Sequence, residues 1–199
     1  MTDDRFDQQI RFLREIDQLK GVFRQTWLLD RSRKENDAEH SWHLGVMAML
    51  LAEHAAEGAL DAARVVRMVL VHDLVEIDAG DTFAYDAEGE RDKADREQAA
   101  AGRIFALLPD DQGAEMRALW EEFEARETPE ARFAAALDRL QPLMHNYFTE
   151  GAAWKEHGVT ADQVVERNRH MAEGAPRLWV FARFLIDDAV EKGYLAPAP

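Results

Sequence analysis

The spacing of apolar residues along the chain predicts a protein built almost entirely of helices. Apolar side chains return every three or four positions, and β-branched runs with strict alternation are nearly absent. Ala, Leu, Glu and Arg, which favour helices, dominate the segments between turn signals. The first two apolar stripes are Phe6, Ile10, Leu13 and Ile16, then Leu44, Met47 and Leu51, closed near Gly58. We therefore predict an all-α fold of about seven or eight helices.

Start and stop signals delimit the later helices. Asp61 is suited to cap a third helix, which runs through His72 and Glu76 and stops near Gly80. Residues 83–92 are polar and contain a glycine, so we expect them to form a loop.

Proline and threonine residues set the boundaries in the second half of the chain. The signals are a stop before Pro109, a helix over roughly 113–125, a start at Thr128-Pro129, a capping box at Thr160 and Gln163, a start at Pro176 and a stop at Gly193. Pro142 lies inside the helix that Thr128 opens, and it predicts a kink there.

Composition and charge exclude several classes of function. The chain has 199 residues, 47% hydrophobic and 32% charged, which predicts one soluble globular domain over residues 1–199. A net charge of −15 argues against binding nucleic-acid polymers, which need a basic surface, but not against small phosphorylated substrates. No apolar run approaches ~18 residues, and the acidic start, Met1 to Arg5, lacks the apolar region of a signal peptide. We expect no membrane contact. The absence of cysteine excludes disulfides and thiol catalysis, and we expect a cytoplasmic location.

One histidine–aspartate pair interrupts an apolar run. His72 and Asp73 lie within residues 69–75, which are otherwise Val and Leu, and a polar or charged group there is costly unless it is paired. A divalent metal is the obvious partner. On a helix Glu76 lies one turn further along the same face, within reach of a water that such a metal would activate.

Two adjacent residues cannot fill a coordination sphere, so other helices must contribute. The best candidates are His40, at the start of the second helix, and Asp138, which lies among apolar residues. On position alone, His43 is almost as good a candidate as His40. Nitrogen and oxygen ligands without thiolate suit one divalent transition metal, Mn, Co, Fe, Ni or Zn, with Mg also admissible, and not the all-oxygen cage of Ca.

The order His40, His72-Asp73, Asp138 resembles that of the HD-domain metal-dependent phosphohydrolases, and the surrounding segments resemble their 5′-deoxynucleotidase branch. The resemblance covers about residues 10–150, and the segment after Trp154 matches less distinctively. The matching segments are Leu19-Lys20-Gly21-Val22, Thr26-Trp27, Ala38-Glu39-His40-Ser41, Val71-His72-Asp73-Leu74-Val75-Glu76, Gly80-Asp81, Arg96-Glu97, Leu119-Trp120-Glu121-Glu122-Phe123-Glu124 and Asp138-Arg139-Leu140.

The resemblance implies a single HD-domain helical bundle, with a core over about 10–150 and C-terminal helices over 160–193 packed on it. It implies the metal ligands His40, His72, Asp73 and Asp138, the catalytic residues Glu76 and Asp81, and the substrate-binding residues Arg24, Trp27, Asp81 and Thr82. Gln25 and Thr26 separate Arg24 from Trp27, a departure from the Arg-Trp dipeptide of the bacterial nucleotidases.

The reaction that the resemblance implies is hydrolysis of the 5′-phosphate of a deoxynucleoside monophosphate by metal-activated water. Arg24 or a base in a loop would hold the phosphate oxygens. A small nucleotide is then the partner, and a homodimer is expected from the relatives.

Several alternatives stay open at this stage. The chain could act on another nucleotide, such as a triphosphate or a cyclic or signalling nucleotide, or it could be a non-catalytic metal- or nucleotide-binding sensor. His72-Asp73 could be a structural pair, and Asp81 only a turn residue. We expect Glu97 to line a charged helix face rather than to hold a second metal. Residues 178–185 could supply an interface or complete the core.

Overall fold

Eleven α-helices and one two-stranded sheet form the regular structure of the described residues. The computed structural model describes residues 4–56, 58, 60–86 and 88–199. The helices are α1 (Asp4–Glu15), α2 (Asp37–Leu51), α3 (Ala62–Val71), α4 (Glu76–Ala79), α5 (Lys93–Ile104), α6 (Asp110–Ala125), α7 (Pro129–Phe148), α8 (Ala152–His157), α9 (Ala161–Asn168), α10 (Met171–Gly174) and α11 (Pro176–Glu191). The strands are β1 (Phe23–Trp27) and β2 (Lys34–Asn36), which pair antiparallel. The predicted all-α class is confirmed.

The capping signals in the sequence start helices where they were predicted. An Asp61 carboxylate oxygen accepts a hydrogen bond from the backbone N–H of Arg64 at 3.0 Å, and Thr128 Oγ1 accepts one from Ala131 N–H at 3.2 Å. Thr160 forms the predicted capping box with Gln163. Each cap satisfies a backbone donor that the first helical turn leaves free.

One predicted boundary is wrong. The third helix does not continue through Glu76: α3 ends at Val71, residues 72–75 form turns, and α4 begins at Glu76. The Glu76 N–H bonds to the carbonyl of Asp73, three residues back, at 3.0 Å, which makes this turn tighter than an α-helical one. Further along the chain, α7 runs through Pro142 as one helix. The proline removes one donor to the Asp138 carbonyl without ending the helix, and the kink expected there stays a prediction.

Three short elements were not predicted from the sequence. They are the β1–β2 hairpin, α8 and α10, which have three to six residues per element. Elements of this length hold too few residues to show a period of two or 3.6. Residues 1–3 of the acidic N-terminal stretch and residue 87 of the predicted loop lie outside the described residues.

The apolar stripe of α1 faces outward, contrary to the usual expectation for such a stripe. Phe6, Ile10 and Leu13 are 57%, 39% and 58% exposed, whereas Phe12 is buried. Phe12 packs in a smaller core cluster together with residues of α5 and α6, including Ile104 and Trp120. An apolar face of this kind on a helix marks a surface that another molecule can cover.

The larger core cluster holds the helices that carry the predicted metal ligands. Leu44 of α2, Met68 of α3, Phe133 of α7 and Ile186 of α11 are all fully buried in it. Helices α2, α3 and α7 pack against one another in pairs. None of the described helices is long and apolar enough to cross a membrane.

Candidate metal centre and cavity

The start of α2, the end of α3 and the middle of α7 converge on one buried point. A capping box between Asn36 and Glu39 fixes the first turn of α2, which carries His40. His72 caps the carboxyl end of α3, and Asp73 follows in the turn. The structure therefore brings together residues that are distant in the sequence, as the predicted metal site requires.

The four predicted ligands lie within contact distance of one another. His40 Nε2 is 3.0 Å from Asp138 Oδ1 and 4.0 Å from Asp73 Oδ2. His72 Nε2 is 3.0 Å from Asp73 Oδ1 and 3.8 Å from Asp138 Oδ1. All four side chains are buried, with exposures from 0% to 7%. The ligand atoms of His40, His72 and Asp73 lie close enough together to hold a divalent ion. Asp138, whose Oδ1 lies beside both imidazoles, is the fourth candidate.

The outer nitrogens of both histidines are held by acceptors. His40 Nδ1 lies 3.0 Å from the side-chain oxygen of Gln141, and His72 Nδ1 lies 2.8 Å from the carbonyl of Val69. Because these oxygens can only accept, each Nδ1 donates, and each Nε2 points towards the carboxylates. His72 Nε2 is buried and has no hydrogen-bond partner among the described residues. The donor set therefore fits a cation at this point.

The two histidines differ in pKa because their electrostatic surroundings differ. Burial and the charge of Arg24 lower the pKa of His40 to about 4, so its imidazole is neutral at pH 7. Burial also disfavours the cationic form of His72, but Asp73 and Asp138 outweigh it and raise its pKa to about 9. A divalent ion would replace the proton on His72, so metal binding should release a proton.

Arg24 is locked between two carboxylates at the edge of this site. Its Nη1 donates to Asp73 Oδ2 at 3.0 Å and to Asp37 Oδ1 at 3.2 Å. Asp37 is fully buried and was not predicted from the sequence. Its position three residues before His40 on α2 was the available signal, since residues three apart share a helix face.

Glu76 and Asp81 lie on the cavity side of the ligands. Glu76 is 6% exposed, and its Oε2 has no hydrogen-bond partner among the described residues. Burial first, and then the charges of Asp73 and Asp37, raise the pKa of Glu76 well above its usual value. Burial also raises the pKa of Asp81. Carboxyl groups with raised pKa values can exchange protons near neutral pH.

A cavity of about 910 Å³ opens beside these residues. Its lining includes the predicted site residues His72, Asp73, Glu76, Asp138, Asp81, Thr82 and Arg24, and an aromatic side formed by Phe83, Tyr85, Phe123 and Trp154. His40 is fully buried behind the lining. The hydroxyl of Thr82 accepts a hydrogen bond from Arg96 Nη2 at 3.1 Å. The volume is ample for a nucleotide.

Trp27 is placed away from the cavity lining. Its Nε1 donates to Glu156 Oε2 at 3.1 Å, and Lys34 Nζ lies 4.6 Å from the centre of its ring. The lining includes its neighbours Gln25 and Thr26 instead. A contact between Trp27 and a substrate stays a prediction.

Glu97 lies on a charged face of α5, where it pairs with Lys93 Nζ at 2.8 Å. This face lines the cavity, and Glu97 is only 5% exposed. The expectation that Glu97 does not hold a second metal stays a prediction.

A network behind His40 was also missed. Gln141 Nε2 donates to Glu35 Oε1 at 2.7 Å and lies 3.1 Å from His145 Nε2. His145 Nδ1 in turn lies 3.1 Å from the carbonyl of Trp27. This network fixes the orientation of the Gln141 amide, and thereby the nitrogen that His40 presents to the site. His145 follows Gln141 by one helical turn, a spacing visible in the sequence.

Comparison with known proteins agrees with this geometry. A family model described as HD domain matches residues 16–179, which reaches past the end of the resemblance at about residue 150. The 5′-deoxynucleotidase HDDC2 of Homo sapiens is 35% identical over 136 residues, which are 68% of this chain and 65% of that protein. The protein of the same name from Danio rerio is 31% identical over 191 residues, 86% of this chain and 94% of that one. The chain thus spans just under two thirds of the human relative's length.

A solved structure shares both fold and sequence. It is described as a predicted metal-dependent phosphohydrolase from Magnetospirillum magnetotacticum, is 57% identical, and has a TM-score of 0.93 over 98% of this chain and 97% of that one. A protein from Pyrococcus furiosus, 20% identical with a TM-score of 0.63, shares the fold.

Proposed function

The chain belongs to the HD domain family, and on that premise we propose that it is a metal-dependent phosphohydrolase that removes the 5′-phosphate of deoxynucleoside monophosphates. The observation that carries the proposal is the convergence of His40, His72, Asp73 and Asp138, with the buried Nε2 of each histidine facing the two carboxylates. The names of the relatives from Homo sapiens and Danio rerio support the choice of substrate.

The reaction cleaves the bond between phosphorus and O5′. Water attacks the phosphorus, the deoxynucleoside leaves with a proton on O5′, and inorganic phosphate is released. When bound by the four ligands, a divalent metal would polarise the phosphate and lower the pKa of water. Glu76, buried with a free Oε2, accepts the proton of the attacking water. Asp81, which lines the same cavity, gives a proton to the leaving oxygen.

Substrate binding is assigned to the same side of the cavity. Arg24 orients Asp73, and Asp81 and Thr82 contact the nucleotide from the loop after α4. Because Trp27 lies on β1 outside the cavity lining, it would contact only a part of the nucleotide that reaches the edge of this strand. The metal is one of Mn, Co, Fe, Ni or Zn, or Mg, because the ligand set mixes imidazole and carboxylate. We also propose that residues 1–199 form one domain and that the protein is cytoplasmic, in keeping with its lack of cysteine.

We propose a homodimer formed through the outer face of α11. In this helix Leu178, Ala182 and Leu185 complete the core, whereas Val180 and Phe184 are 69% and 60% exposed one turn apart. Adjacent exposed apolar residues of this size favour self-association. Phe184→Asp should yield a monomer by light scattering. Phe6→Asp, on the exposed stripe of α1, is the matched control and should remain a dimer; the reverse result would move the interface to α1.

The test is release of phosphate from deoxy- and ribonucleoside monophosphates by metal-stripped protein resupplied with Mn, Co, Zn or Mg. Metal-dependent release that favours the deoxynucleotides supports the proposal. Protein that binds metal but releases phosphate from none of these compounds would contradict it, and would favour another nucleotide or a sensor.

A further inference from the structure

Three nitrogen-bearing side chains of the cavity lining form what we call the basic wall. The basic wall consists of Arg139 on α7, Arg167 on α9 and His170 just before α10, and all three line the cavity. Two of them come from the C-terminal part of the chain, where the sequence suggested no function.

The basic wall has donors that no protein group satisfies. The Nε atoms of Arg139 and Arg167 and the Nε2 of His170 are buried and have no hydrogen-bond partner among the described residues. Arg139 makes one ion pair, from Nη2 to Asp138 Oδ2 at 3.4 Å, and Arg167 makes one to Glu90 at 3.2 Å. Since buried donors are almost always paired in folded proteins, these atoms indicate a missing acceptor.

The same groups repel one another. Burial and then the charge of Arg139 lower the pKa of Arg167. Burial, Arg139 and Arg126 lower the pKa of His170 to about 4, so that its imidazole is neutral at pH 7. Two guanidinium groups held close together in a partly dry cavity are stabilised by an anion placed between them.

Two other cations of the cavity, Arg24 and Lys93, are already paired with carboxylates. Arg24, the residue expected from the sequence to hold the phosphate, donates to both Asp37 and Asp73. Lys93 pairs with Glu97 at 2.8 Å. A phosphate monoester carries close to two negative charges at pH 7 and must approach several buried carboxylates. The phosphate therefore needs a cation that is not already paired with these carboxylates.

Arg139 lies next to the metal ligands. Asp138 presents Oδ1 to the nitrogens of His40 and His72 and its other oxygen to Arg139. A group bound between the ligands and Arg139 would contact both. Asp138 also attracts His170 and Arg167 electrostatically, and all three members line the same cavity.

We propose that Arg139, Arg167 and His170 form an anion subsite that binds the phosphate group of the substrate beside the metal ligands. The proposal rests on the proposed function, since it names the residues that hold the reacting phosphate. Arg139 binds two phosphate oxygens through its planar fork, and Arg167 and His170 donate to the remaining oxygen.

The test measures binding of inorganic phosphate to Mn-loaded protein by calorimetry, together with KM, kcat and metal content. We expect Arg139→Gln and Arg167→Gln to weaken phosphate binding about 10- to 100-fold, as loss of hydrogen bonds to a charged group does. KM should rise in both. Arg139→Lys should recover part of the affinity, since it keeps the charge but not the fork. Arg117→Gln removes an exposed arginine paired with Glu121 outside the cavity and should bind phosphate as the wild type does.

Phosphate affinity unchanged in Arg167→Gln, in folded protein with full metal content, would overturn the subsite. Among the described residues Arg167 pairs with Glu90 and with none of the metal ligands. The Arg167→Gln variant therefore tests the subsite even if Arg139→Gln loses metal or fails to fold. If wild type binds phosphate through these arginines but hydrolyses no nucleoside monophosphate, the proposed function fails while the subsite stands. If nucleotides are hydrolysed but the variants bind phosphate normally, only the subsite fails.

Discussion

The two ends of the cavity differ in the balance between hydrogen-bond donors and acceptors. At the metal end, carboxylates outnumber cations, and the Arg24 guanidinium is shared by Asp37 and Asp73. At the basic wall, Arg139, Arg167 and His170 keep buried nitrogens without acceptors in the part of the chain that the structure describes. The excess of acceptors suits a cation and the excess of donors suits an anion. A phosphate on a metal needs both, side by side.

The largest effect should come from removing a ligand at the metal end. Asp73→Ala deletes a metal ligand and one partner of Arg24, so the protein should lose bound metal. Phosphate release should fall by about 10³-fold or more, because the metal supplies several kcal/mol of stabilisation to the transition state. Metal analysis and steady-state kinetics measure both. Asp111→Ala, an exposed aspartate paired with Arg5, is the control. Full activity in Asp73→Ala would refute the site.

Glu76→Gln separates proton transfer from metal binding. The amide keeps the size of the side chain but cannot accept a proton, so kcat should fall roughly 10²- to 10⁴-fold. Metal content should stay near the wild-type level, since Glu76 is not one of the four ligands. The pH dependence of kcat gives a second readout, because the acidic limb assigned to Glu76 should disappear. A variant with unchanged kcat would show that another group takes the proton.

Gln141→Leu tests the network that holds His40. The substitution removes the acceptor of His40 Nδ1 and leaves Glu35 without its donor. Loss of such an outer partner lowers metal affinity about 10- to 100-fold. Titration of metal-stripped protein with Co measures the affinity. Gln141→Glu restores the acceptor and should recover part of it, whereas a purely structural role would leave both variants with wild-type affinity once they are folded.

The smallest effect concerns stability and the basic wall. The pKa of His170 is lowered from its usual 6.5 to about 4 by burial and by Arg139. Between these values the unfolded chain binds more protons than the folded one, so the free energy of unfolding should rise with pH from about 4 to 6.5. This contribution is complete above pH 6.5 and is lost as the pH falls through 4. His170→Gln should flatten the pH dependence of the free energy of unfolding between pH 4 and 6.5. An unaltered dependence would show that His170 is exposed to solvent in the folded protein.

The two ends also differ in how well the sequence predicted them. His72 and Asp73 could be predicted from the sequence because a charged pair in an apolar run is costly unless it is paired. Asp138 could be predicted for the same reason. The caps at Asp61, Thr128 and Thr160 were visible because their side chains act on the next turn alone, and the structure confirms these starts.

The rest depended on contacts between distant segments. Asp37 follows an N-cap and resembles any acid at a helix start, and only packing against Arg24 and Asp73 makes it part of the site. Arg139 and Arg167 resemble ordinary surface arginines of helices until α9 and α7 are seen to share a cavity. The break after Val71 arises from the tertiary need to turn Asp73 towards His40, which outweighs local helix propensity.

The central claim is that a metal and a phosphate lie side by side between these two ends. A crystal structure of the protein loaded with Mn and inorganic phosphate, with anomalous data for Mn, tests it most directly. The account predicts one Mn held by His40, His72, Asp73 and Asp138, with a phosphate that contacts both the metal and Arg139. An Mn bound elsewhere, or a phosphate held by Arg24 and not by Arg139, would contradict it.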